Sequence, residues 1–304
     1  MATRKTWQTY AREYDLIKKA ESAAIIASSS KLPVPLKDIA RDRRVQKVVF
    51  YPLLVTGCLA VGEGGFRIYI RCRSHEVAKY EQIFEQPDGD LKLPGRMRFT
   101  IAHELSHTYF YTENEGAPLA RVAIRSSEEL FKFEAFCNRM ASEFLLPTTL
   151  VTKEATKFHF LEPKELREFV EFARVSPETI VIKTQYNKRW LGEYGGIMAV
   201  HSNSGTINVK AVAFSPHLAD IFGHISLTLR RGKAFRLERL CSDAEFQGFA
   251  NGNNGKNETI GIVEYKTQRG SGFQKFQFKR EVTQNEDSKT FFITVRPVEE
   301  AWFE

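Results

Sequence analysis

Between Phe66 and Arg73 apolar and polar positions alternate: Phe66, Ile68, Ile70 and Cys72 share one face, and Arg67, Tyr69, Arg71 and Arg73 the other. That is the period of a half-buried strand. The stretch before it, KVVFYPLLVTGCLAVGEGG, reads as strands with a turn at Gly62, Gly64 and Gly65. Elsewhere in the first two thirds the pattern is helical. Trp7 to about Ser28 has no internal Gly or Pro, and PLKDIARDRRV forms a shorter helix behind Pro33 and Pro35. Two more helices are expected at about 96–111 and 127–146, the second closed by Pro147. EQPDGDLKLPG reads as a loop between them and the strands. Then comes a helix, a short break and a helix begun by Ser176 and Pro177, a helix-turn-helix-like segment at about 162–190. Its other reading is two helices packed on the core.

After Tyr194 the runs shorten to GIMAV, TINVKAVAF, ISLTL, KFQFKREV and TFFITV, separated by turns such as ANGNNGKN. The expected fold class is α+β. A mostly helical domain at 1–194 is followed by a β-rich C-terminal domain at 195–304. The length of 304 residues suits two domains.

Composition adds little to that frame. The net charge of +7 suits an acidic partner, yet residues 195–304 hold 14 Lys+Arg against 12 Asp+Glu, so the excess lies earlier. Arg41, Arg43, Arg44 and Lys47 form one basic cluster, whose ordinary reading is a solvated face. Cys58, Cys72, Cys137 and Cys241 form no CxxC pair and read as packed thiols. AAIIA near the start is too short for a signal segment or a membrane span, so a cytoplasmic protein is expected.

The chemistry concentrates in RFTIAHELSHTYFY, residues 98–111. On a helix His103 and His107 project from one face one turn apart, so both rings reach a single ion. Ile101, Ala102, Leu105 and Tyr109 occupy a different side. This gives Glu104 the role of general base toward water in a zinc peptidase, against the alternative that a five-residue pattern arose by chance. In the following helix, SSEELFKFEAFCNRMASEFLLP, Ser126 and Glu129 have capping-box spacing. Lys132, Arg139 and Glu143 are expected on its exposed stripe. Glu134 is expected opposite, among Leu130, Cys137, Ala141 and Leu145, where an ionised carboxylate is costly unless paired or bound to a metal. A third zinc ligand and a salt bridge to a buried arginine both answer that cost. Asn138, one turn on, can hold a ligating histidine's tautomer or lie on the helix surface. Three protein ligands leave a fourth position open, the catalytic zinc arrangement. Tyr109, Tyr111, His159 and Tyr186 are conceivable oxyanion partners.

Together, RMRFTIAHELSH and EAFCNRMASEFLLP resemble the ImmA/IrrE family of zinc metallopeptidases, with Ser106, Cys137 and Met140 departing from its usual glycine, alanine and phenylalanine. The resemblance covers about residues 10–190. It implies Zn2+ held by His103, His107 and Glu134, Glu104 as base, and Asn138 behind a ligand. It also implies a protein substrate, a helix-turn-helix transcriptional repressor whose cleavage induces stress, phage-defence or mobile-element genes. The rival is a non-catalytic, zinc-containing regulator that binds DNA or protein directly. The Phe66–Arg73 strand is further expected to be a sheet edge that receives an extended substrate.

Overall fold

The computed structural model describes residues 7–62, 64–112, 120–121, 126–154, 160–192, 195–203, 206–221, 257–267, 270–280 and 290–298. The chain divides into two compact units, residues 1–153 with 172–176 and residues 154–171 with 177–304. Contacts divide the chain at 153/154, earlier than residue 194, where the pattern of apolar runs changes. The cause is local: Glu162 pairs with Lys279 at 3.1 Å and Arg296 at 3.0 Å, and Arg167 donates to the Thr290 carbonyl at 2.8 Å.

The first unit runs α1 (Trp7–Ala27), α2 (Leu36–Asp42), β1 (Val45–Tyr51), β2 (Gly57–Gly62), β3 (Gly65–Arg71), α3 (Val77–Glu85), α4 (Gly95–Thr108), β4 (Tyr111–Thr112), β5 (Ala120–Arg121), α5 (Ser127–Leu145) and α6 (Thr148–Glu154). Its main sheet has the order β1-β3-β2, with β1 and β3 parallel and β2 antiparallel to β3. Val48, Phe50, Phe66, Ile68 and Ile70 are buried, as the alternation requires, and Lys47, Arg67 and Arg71 are exposed. One expectation fails here. The Phe66–Arg73 strand is the middle of the sheet, hydrogen-bonded on both sides, so it has no free edge for a substrate; among the described residues the edges are β1 and β2.

Helix α4 buries Ile101, Ala102 and Leu105 and is pinned at its start. Gly95 lies so close to the chain at Val175 that an added Cβ would come within 2.3 Å of the Val175 carbonyl carbon, so only glycine fits. One turn later Arg98, fully buried, donates to the carbonyls of Val34, Ala173 (3.3 Å) and Arg174 (2.5 Å). Burial lowers its pKa to about 10, which leaves the guanidinium charged at neutral pH. At the other end Arg43 donates to the Thr108 carbonyl at 2.9 Å and its hydroxyl at 3.1 Å, a cation placed at a helix C-terminus.

The second unit holds α7 (Pro163–Ala173, all but its last two residues), α8 (Pro177–Tyr186), β6 (Gly196–Asn203), β7 (Thr206–Phe214), α9 (Pro216–Ile221), β8 (Glu258–Thr267), β9 (Gly270–Arg280) and β10 (Thr290–Pro297). Five antiparallel strands pair in the order β7-β6-β10-β9-β8. Successive residues Ile197–Val200 and Phe291–Val295 are buried, so the central strands β6 and β10 are covered on both faces. ISLTL and the turn at 250–256 lie outside the described residues. No described helix is long and apolar enough to cross a membrane.

Candidate metal centre

Helices α4 and α5 pack together and bring three donors to one point. His103 Nε2 lies 3.1 Å from His107 Nε2 and 3.1 Å from Glu134 Oε2, and His107 Nε2 lies 3.8 Å from the same oxygen. Ligands at about 2.0–2.2 Å from a tetrahedral ion are separated by about 3.3–3.6 Å, so the three spacings bracket the edge of such a site. Among the described residues this is the one His/Cys/Asp/Glu group able to hold a metal ion.

The outer nitrogens support the same reading. His103 Nδ1 is 2.9 Å from Asn138 Oδ1, an acceptor, so the proton belongs on Nδ1 and the Nε2 lone pair faces inward. His107 Nδ1 lies 3.6 Å from the fully buried Cys137 Sγ. With the His103 Nδ1 proton directed at Asn138, the His103 Nε2 lone pair faces the Glu134 carboxylate oxygen at 3.1 Å, two electron-rich atoms that a cation between them would reconcile. Phe133 packs on the His107 ring at 5.2 Å between centroids. The residues present therefore fit a divalent metal.

The environment of Glu134 differs from the expected one. Its side chain is 40% exposed, and Leu130 on the same face is 43% exposed. Glu143, expected outside, is buried and accepts from the Thr148 amide (3.1 Å) and hydroxyl (2.9 Å). The reason is that α5 starts in solvent and enters the core only from Cys137 onward, so one wheel cannot describe both halves. Burial thus gives no argument for Glu134 as a ligand; convergence with the histidines does.

Glu104, the residue after His103 on α4, is buried and lies against β2. A Cβ on Gly57 would stand 3.1 Å from Glu104 Oε1 and 2.5 Å from Thr100 Cγ2, so glycine lets the strand pass directly beside the carboxylate. Burial, and then the Glu104 charge, raise the pKa of the neighbouring Cys58 thiol. Tyr109 packs on Phe144 beneath Arg43, Tyr111 packs on Phe66, and neither hydrogen-bonds to the cluster. Tyr186 belongs to the second unit and His159 lies outside the described residues. Sequence reasoning missed Cys137 and Gly57; Cys137 was detectable as the residue three after Glu134, Gly57 only through the packing of a strand on a helix.

Helices α4 and α5 thus carry a His/His/Glu group that could hold a metal ion. Residues 89–185 match the family described as the IrrE N-terminal-like domain, peptidase family M78, so this stretch is of the ImmA/IrrE type that its two motifs indicate. The match spans parts of both compact units. No curated protein matches the chain significantly. Among solved structures, a Mycobacterium tuberculosis transcriptional regulator is similar at 14% identity with a TM-score of 0.44, over 94% of this chain and 77% of that one. That likeness is too distant to bear on function.

Proposed function

We propose that this chain is a cytoplasmic zinc-dependent endopeptidase that cuts a helix-turn-helix transcriptional repressor and so induces a stress, phage-defence or mobile-element response. The observation that carries the chemistry is the convergence of His103, His107 and Glu134 with Glu104 on the same helix; the substrate class comes from the ImmA/IrrE resemblance. Zinc held by those three residues would supply Lewis acidity and activate water at neutral pH. Glu104 takes the proton from the attacking water and delivers it to the leaving amine. Its confinement beside Gly57 holds the carboxylate in one place for both transfers. Asn138 keeps His103 in the tautomer that offers Nε2. A substrate in extended form has a place at β2, the edge strand that runs past Glu104. The β-rich C-terminal region at 195–304 would regulate access or sense the inducing signal.

The test separates metal from base. The purified protein is expected to carry zinc one to one, and His103→Ala to lose it. Glu104→Gln should keep the zinc yet lose about 10²–10⁴ of its cleavage rate on a repressor encoded beside the gene. Undiminished cleavage by Glu104→Gln would remove the base from the mechanism. Zinc binding without cleavage of any such repressor by the unaltered chain would favour the non-catalytic regulator.

A further inference from the structure

The sheet β1-β3-β2 buries one face against helices of its own unit, and among the described residues its other face is left largely exposed, with a consistent chemistry. Its outward positions pair across the strands: Lys47 beside Arg67, Val49 beside Tyr69, and Tyr51 beside Arg71. From β2, Ala60 and Cys58 flank Arg67 and Tyr69. No outward position carries an acidic side chain. Lys47, Arg67 and Arg71 are exposed, Tyr51 is 56% exposed, and Tyr69 is half-buried. Among the described residues none of the three cations pairs with a carboxylate, and Arg71 donates only to the Leu54 carbonyl at 3.4 Å.

Three unpaired cations on one flat surface repel one another and are relieved by a polyanion. The tyrosines narrow the choice. Along β3 the order is Arg67, Tyr69, Arg71, with successive outward side chains about 7 Å apart. A ring between two cations on an open sheet matches a strand whose phosphates meet the cations while its bases stack on the rings. A duplex keeps its bases stacked on each other and has no use for the tyrosines.

We propose that the open face of β1-β3-β2 binds single-stranded nucleic acid, with Lys47, Arg67 and Arg71 on phosphates and Tyr69 and Tyr51 against bases. The surface is distinct from the helix-turn-helix-like segment, and the proposal does not depend on the peptidase reading. The test is fluorescence anisotropy of a labelled oligothymidylate with the full chain, its fold and metal content monitored in each variant. Binding is expected to weaken with salt, the log–log slope falling by about 0.7 for each cation removed. Arg67→Ala with Arg71→Ala should weaken it at least about tenfold at low salt. Tyr69→Ala should cost about 5- to 150-fold, the worth of one stacked base, and Tyr69→Phe should restore it. No binding by the full chain at low salt, or unchanged affinity in the double arginine variant, overturns the proposal. Equal affinity for duplex, or heparin binding with Tyr69→Ala without effect on the oligothymidylate, reduces the face to a general anion surface and also overturns it.

Discussion

Asn138 and Cys137, adjacent on α5, each answer one histidine of α4: the amide oxygen at 2.9 Å from His103 Nδ1 and the thiol sulfur at 3.6 Å from His107 Nδ1. The two contacts are unequal. An amide oxygen is a strong acceptor and a thiol sulfur a weak one, so His103 is the better fixed of the pair. Groups behind a ligating histidine are worth about 10- to 100-fold in metal affinity. Asn138→Ala is therefore expected to weaken zinc binding by that amount and Asn138→Asp to preserve it, read by competition with a chromophoric chelator. Cys137→Ala should cost less, about tenfold, and Cys137→Ser should recover the loss. Equal affinities for Cys137→Ala and the unaltered chain would make the sulfur mere packing.

At the scale of elements, the site depends on where α4 is held. Arg98 and Gly95 fix its start, Arg43 its end, and β2 passes its flank at Gly57. The tightness at Gly57 yields a coupled prediction. Gly57→Ala puts a methyl group 2.5 Å from Thr100 Cγ2, forcing helix and strand apart, and should destabilise the unit by about 1–3 kcal/mol. Thr100→Ser removes that Cγ2 atom, so the double variant should recover much of the loss, as urea denaturation of the two single variants and the double would report.

The sequence made α4 legible because its residues split cleanly between a histidine side and an apolar side over one short helix. It made the two faces of β3 legible for the same reason. It misplaced β3 as an edge because a strand's own alternation says which face is buried and nothing about which neighbours flank it. It misjudged Glu134 and Glu143 because α5 crosses from solvent into core along its length, which a single helical wheel averages away. It passed over α3, a short helix of which Tyr80 is the buried residue.

Across the whole molecule, metal binding and folding are linked through the first unit alone if the cluster is the site. The three donors sit on two helices, Glu134 27 residues beyond His107, and the unfolded chain does not hold them together, so metal affinity appears as stability. At free zinc one hundred times the dissociation constant the expected gain is about 2.7 kcal/mol. His103→Ala should show none of it. The gain should also be local. Amide exchange in α4 and α5 is expected to slow on adding zinc, because both helices carry ligands and separating them forfeits the bound ion. Strands β6–β10 belong to the second compact unit and contribute no donor, so their exchange should stay as it was. Mass spectrometry of exchanged peptides reads both regions in one experiment. Slowing confined to α4 and α5 fits a site held by His103, His107 and Glu134. Slowing in β6–β10 would place the binding energy in the second unit as well, and protection that survives His103→Ala would move the ion to other residues altogether.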